Sequence, residues 1–104
     1  MPRWIDVCPT DEIDDEDVMP WDFEGHHYAI YRAPDDQFYA TDGLCTHDHV
    51  KLAGGLVMDH IIACPKHNGR FDYRTGEAKG APVCVNLQTY PVRIAGDRVQ
   101  IALT

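Results

Sequence analysis

Apolar and polar residues alternate along much of this chain, and no stretch keeps apolar positions at i, i+3, i+4 and i+7 through three turns. Period two therefore governs, and the fold is predicted to be mainly β. WIDVC at 4–8 alternates as a half-buried strand does. HYAIYRA at 27–33 and QFYATD at 37–42 flank Pro34-Asp35-Asp36 and predict a hairpin. TYPVRI at 89–94 and RVQIAL at 98–103 predict a second, around Ala95-Gly96-Asp97, where Gly96 can adopt positive φ. Between them, LVM and IIAC turn at Asp59-His60, and RFDY and EAK turn at Arg74-Thr75-Gly76. The stretch 10–25, broken by Pro20 and Gly25, reads as an irregular insertion or long loop. There is no internal repeat, low-complexity segment or linker, so residues 1–104 are expected to form one domain.

Charge narrows the choice of partner. Seventeen acidic residues against nine basic ones give a formal net charge of -8, which disfavours nucleic acid or an anionic membrane. Eight of the carboxylates lie between Asp11 and Glu24, a concentration expected to form a solvated acidic loop. No apolar run has the length of a signal peptide or of a bilayer span, and the expectation is a soluble, cytoplasmic protein. In that compartment Cys8, Cys45, Cys64 and Cys84 point to a metal site or to unpaired thiols rather than to a disulfide framework.

Two of these cysteines sit in a pattern. Cys45-x-His47 is followed by sixteen residues and then by Cys64-x-x-His67, so each of two loops offers one thiolate and one imidazole. The intervening residues, with Gly54-Gly55 and the strand pair turning at Asp59-His60, suffice to leave one loop and return beside it. Zinc accepts two Cys and two His, but finger-type sites pair Cys with Cys and His with His. One Cys and one His from each loop instead suits a Rieske [2Fe-2S] centre, in which two cysteines hold one iron and two histidines the other.

The run CTHDHVKLAGG…CPKHNGRFDYRTGEAKGAP…YPVRI resembles bacterial Rieske-type ferredoxins, the electron carriers of aromatic-ring-hydroxylating oxygenases, and among them those of rhizopine catabolism. The resemblance runs from about residue 4 to the C-terminus. It implies an all-β Rieske fold, an antiparallel β-sandwich with a small cluster-binding subdomain of two loops at about 43–83. It also implies that Cys45 and Cys64 ligate an inner iron and that His47 and His67 ligate an outer one near the surface, with one cluster per chain. Two ferric ions, two sulfides and two thiolates sum to zero charge, so an electron is added more easily than to a four-thiolate cluster. The implied partners are an NAD(P)H-dependent flavin reductase as donor and a terminal oxygenase as acceptor.

Departures from the respiratory members of the family, which resemble CTHLGC and CPCHGSHYD, bear on the potential. Val50 and Lys66 stand where those have a second pair of cysteines, Gly69 where they have Ser, and Phe71 where they have Tyr. Fewer donors to the cluster predict a potential at the low end of the Rieske span of about -150 to +300 mV. Pro65 is expected to stiffen the second loop, Gly69 to pass close to the cluster, and Gly80-Ala81-Pro82 to match the family's covering loop. Thr46 and Asp48 read as spacers and His49 as a surface histidine at the rim, where Asp48, Lys66, Asn68 and Pro82 join it as a docking tip. His26, His27 and His60 are expected to face solvent, and Cys8 and Cys84 carry no assigned chemistry.

No residues remain for a mononuclear iron site, and no Gly-rich fingerprint for flavin or nicotinamide is present, so the chain is expected to carry electrons rather than to catalyse. Two other readings stay open. One is a Rieske-fold subunit of a nitrite-reductase-like assembly, in which the ligands are often missing. The other is a zinc-stabilised interaction module, which would be colourless where a Rieske protein is brown-red.

Overall fold

The computed structural model describes residues 3–47, 49–66, 69–80 and 85–103. The strands are β1 (Arg3–Pro9), β2 (Asp17–Phe23), β3 (His26–Arg32), β4 (Phe38–Asp42), β5 (Leu56–Met58), β6 (Ile61–Ala63), β7 (Arg70–Asp72), β8 (Glu77–Ala78), β9 (Thr89–Tyr90), β10 (Val92–Ala95) and β11 (Arg98–Leu103). Short 3₁₀ turns occupy Thr10–Glu12 and Leu52–Gly54. No helix among the described residues is long and apolar enough to cross a membrane.

Among the described residues all strand pairs are antiparallel, and they build three sheets in the orders β1-β11-β10, β2-β3-β4-β9 and β5-β6-β7-β8. The expected hairpins form. Arg32 pairs with Phe38 across the 33–37 turn, and Ala95 with Arg98 across Gly96-Asp97, where Gly96 has φ 65. Met58 pairs with Ile61 across Asp59-His60, and Asp59 takes φ 57, a conformation that Asp tolerates better than most residues.

Two expectations are corrected. The acidic 10–25 stretch is not an irregular excursion: β2 pairs with β3 over its whole length, from Asp17↔Arg32 to Phe23↔His26. Pro20 is tolerated because β2 is the outer strand of its sheet and owes no hydrogen bond on its free side. Met19, Trp21 and Phe23 pack from one face of β2 onto the core, and the Trp21 and Phe23 rings stack at 5.2 Å. The acidic residues around them masked this alternation. Likewise TYPVRI is not one strand. Pro91 interrupts it, so that Thr89–Tyr90 pair with β4 while Val92–Ala95 pair with β11.

β3 is buried on both faces, which is why HYAIYR reads as a nearly unbroken apolar run. Tyr28 and Ile30 face one apolar cluster with Val99 and Ile101 of β11. Ala29 and Tyr31 face a second, with Leu52, Ile62, Phe71 and Tyr73. Tyr31, fully buried, stacks on Tyr73 at 4.4 Å and shares a 2.8 Å hydrogen bond between its hydroxyl and that of Thr41. Burial pushes the Tyr31 phenol well above its ordinary pKa, so it stays protonated and available to that bond.

Candidate metal centre

The first motif leaves the core sheet at the end of β4. Gly43 N–H donates to His27 O at 2.8 Å, and a Cβ on Gly43 would come within 2.9 Å of the His27 and Tyr28 backbone, so only glycine lets the chain pass this close to β3. A bridge between Leu44 and Lys51 and the bond from Leu52 N–H to Gly43 O, 2.9 Å, close the base of the loop. Within it Cys45 N–H donates to Val50 O at 2.9 Å, and His49 N–H donates to Cys45 O at 2.8 Å. His49 adopts φ 58.

The second motif lies between β6 and β7 of the small sheet, whose last pair before the loop is Ala63↔Arg70. Cys64 N–H donates to Gly69 O at 2.6 Å. Each cysteine thus opens its loop with a bond to the carbonyl five residues ahead. The same backbone bond recurs in two dissimilar sequences. Gly55 lets the two halves approach, since a Cβ there would stand 2.0 Å from Ala63 O.

Both thiols point inward: Cys45 is 1 % exposed and Cys64 3 %, and they belong to the same apolar cluster as Phe71 and Leu52. His47 is exposed. His67 lies outside the described residues, as do Asp48, Asn68, Ala81, Pro82 and Cys84. The arrangement fits a binuclear cluster. Two sulfurs on the core side suit an inner iron, which stabilises buried thiolates that apolar surroundings alone would disfavour, and an imidazole at the surface suits an outer iron. Among the described residues no three His, Cys, Asp or Glu side chains gather as a single-ion site requires.

Around the loops, His49 and Lys66 are exposed, as expected of the rim, and so are Pro65 and Arg70. His26 is exposed and His27 half-buried, and they pair with Asp42 (2.6 Å) and Asp22 (2.9 Å). His60 departs from expectation: its side chain is only 19 % exposed, packed beside Tyr73 with Asp59 at 3.3 Å and Asp35 at 3.7 Å, because the tight turn tucks it against the core. Cys8 is buried in β1, and burial raises its thiol pKa, as fits an inert core residue. Asp72 at the end of β7 is buried and accepts from the Arg74 guanidinium at 2.9 and 3.1 Å. That bond holds its carboxyl below the usual carboxylate range.

One residue read as a spacer does more. The Thr46 hydroxyl donates to Val85 O at 2.7 Å, tying the first loop to a segment 39 residues away. Thr is ordinary at such a position, and nothing in the local pattern signals so distant a partner.

Comparison with known proteins extends the geometry. The Rieske [2Fe-2S] domain family matches residues 3–91. The ferredoxin component of the naphthalene 1,2-dioxygenase system of Pseudomonas aeruginosa is 44% identical, over 98% of this chain and 97% of its own length. Among solved structures, the Sphingomonas yanoikuyae B1 ferredoxin superposes with a TM-score of 0.91 at 33% identity, covering 98% of this chain and 100% of that one. A chain from the complex of reduced oxygenase and oxidized ferredoxin in carbazole 1,9a-dioxygenase gives 0.90 at 32%, covering 95% and 92%. A putative NADH-dependent nitrite reductase small subunit from Mycobacterium tuberculosis gives 0.89 at 20%, covering 100% and 97%, a likeness of fold alone. With a family match across most of its length and relatives of this identity, the chain belongs to the Rieske [2Fe-2S] domain family, whose cluster is its cofactor.

Proposed function

We propose that the protein is a one-electron carrier of an aromatic-ring oxygenase system, receiving electrons from an NAD(P)H-dependent flavin reductase and passing them to a terminal oxygenase. Residues 1–104 act as a single Rieske domain whose cluster-binding part spans about 43–83. Cys45 and Cys64 hold the inner iron, and His47 and His67 the outer one. The bound cluster supplies a site that accepts and releases a single electron. The chain's residues do the rest. Phe71, Leu52 and their neighbours exclude water from the thiolate side, while His47 on the surface shortens the path to a partner. The docking tip comprises His49 and Lys66 together with Asp48, Asn68 and Pro82. The protein works in the cytoplasm.

The observation that carries this reading is the pair of like-built loops with both thiols buried in one apolar cluster and an imidazole outside it. Relatives named as ferredoxin components, similar over nearly their whole length, support it as carrier rather than enzyme. The test is twofold. Reduced protein should give the EPR spectrum of a mixed Cys/His [2Fe-2S] centre, and His67→Cys should shift it toward that of a four-thiolate ferredoxin. Turnover by a purified ring-hydroxylating oxygenase with its reductase should then depend on added protein. A colourless, EPR-silent product carrying zinc would defeat the proposal.

A further inference from the structure

The two loops hang from different sheets: the first continues β4 of the core sheet and the second joins β6 and β7 of the small one. If their side chains serve one centre, the relative placement of the two sheets sets the separation of the ligands. At one end the sheets are locked by the Tyr31–Tyr73 stack. Near the first loop they are fastened by residues 85–88, each of which bonds to a different place.

Val85 O accepts from the Thr46 hydroxyl at 2.7 Å. Asn86 Oδ1 accepts from Ala78 N–H of β8 at 2.9 Å. Leu87 N–H donates to Gly76 O at 2.7 Å, and its side chain is buried in the cluster that holds both cysteines. Gln88 O accepts from Asp42 N–H of β4 at 2.9 Å. The fit at Gly76 is close enough that a Cβ would stand 2.1 Å from Leu87 O. These four residues form a strap across core sheet, first loop and small sheet.

Two of the four bonds, those of Leu87 and Gln88, are backbone to backbone and would form with almost any sequence. The other two depend on a particular side chain, and they lie at the strap's contacts with the first loop and with β8. We infer that Thr46 and Asn86 are positioning residues for the centre: through the strap they hold the first loop, and His47 with it, at a fixed distance from the small sheet that carries the second loop. The inference rests on the ligand reading above. Both bonds are at the surface, so they add little to global stability. Their effect falls on the geometry of the centre.

The experiment compares holoprotein of the wild type with Thr46→Val, Thr46→Ser, Asn86→Ala and Asn86→Asp. It records cluster loss to excess chelator and the line width of the reduced-state EPR spectrum, with far-UV circular dichroism as the control for folding. T46V and N86A should keep the wild-type dichroism, lose cluster about five-fold faster, the factor one net hydrogen bond supplies, and broaden the EPR lines. T46S and N86D keep the donor and the acceptor oxygen and should match the wild type. T46V and N86A indistinguishable from wild type would overturn the inference, as would T46S and N86D as poor as the deletions. Because the two sites are 40 residues apart in sequence, misfolding of one variant leaves the other to decide. A wild type that lacks the mixed-ligand spectrum overturns the ligand reading instead, a result visible before any variant is made.

Discussion

The two faces of β3 support different tasks. On one, Tyr28 and Ile30 meet Val99 and Ile101 in a largely apolar cluster that also holds the Cys8 thiol. On the other, Ala29 and Tyr31 meet a cluster of similar burial into which two motif cysteines project and in which tyrosine hydroxyls find partners, Tyr31 with Thr41 and Tyr73 with Asp59 O. The first face needs chiefly volume and apolarity, with its one hydroxyl bond, Tyr90 to Asp42, at the edge. The second must also hold two loops in register, so it tolerates less change of chemistry for the same change of size.

Substitutions of opposite kind separate the two. Ile101→Ala removes a fully buried side chain from the first face and should lower stability by about 2–5 kcal/mol in urea titrations. The molecules that remain folded should show an unchanged reduced-state EPR spectrum. Cys64→Ser is nearly isosteric and should leave the strands folded by circular dichroism while abolishing the spectrum altogether. If I101A altered the spectrum, the faces would be coupled and the division drawn here would fail.

Sequence pattern made the hairpins and the two motifs legible and the contacts between them illegible, for physical reasons. Hairpins are local: Gly96 and the Asp59-His60 pair announce turns because few residues accept positive φ, and the pairings follow. The ligand motifs are also local, each within four residues. What fixes one motif against the other is not. The Thr46–Val85 bond, the Asn86–Ala78 bond and the Tyr31–Tyr73 stack join residues whose own neighbourhoods give no sign of a partner. β2 was hidden differently, since its apolar residues alternate on the core side while carboxylates and Pro20 dominate the composition of the segment. The register with β3, not the local propensity, makes it a strand.

Acid sharpens the contrast from the side of the small sheet. The Arg74 guanidinium depresses the pKa of Asp72, so the pair contributes stability that is fully present above the unfolded carboxyl value, about 4. That contribution is lost as pH falls through the lower folded value. Asp72→Asn should therefore be less stable than wild type at neutral pH and should converge with it toward pH 2. The effect should be smaller than that of I101A, and the urea midpoint measured from pH 6 down to pH 2 checks it. Asp6 and Asp22, whose carboxyls are likewise held low by hydrogen bonds to Arg98 and His27, are present in both proteins and cancel in the difference. A gap that persisted undiminished at pH 2 would assign the role of Asp72 to packing rather than charge.

The smallest expected effect concerns Phe71, fully buried beside the thiol-bearing loops and lacking the hydroxyl that the respiratory members of the family carry there. If the centre is held at low potential for want of donors, Phe71→Tyr should raise the reduction potential. One hydrogen bond worth about 1 kcal/mol more in the reduced than in the oxidised state corresponds to roughly 40 mV for a single electron. Protein-film voltammetry resolves such a shift. The alternative outcome is equally readable. A hydroxyl that found no acceptor in this apolar cluster would be buried unsatisfied, lowering the urea midpoint and leaving the potential flat. That pairing of results would mean that the potential is set by the surroundings of the loops as a whole. In that case the second face of β3 would be tuned by burial and not by any one donor.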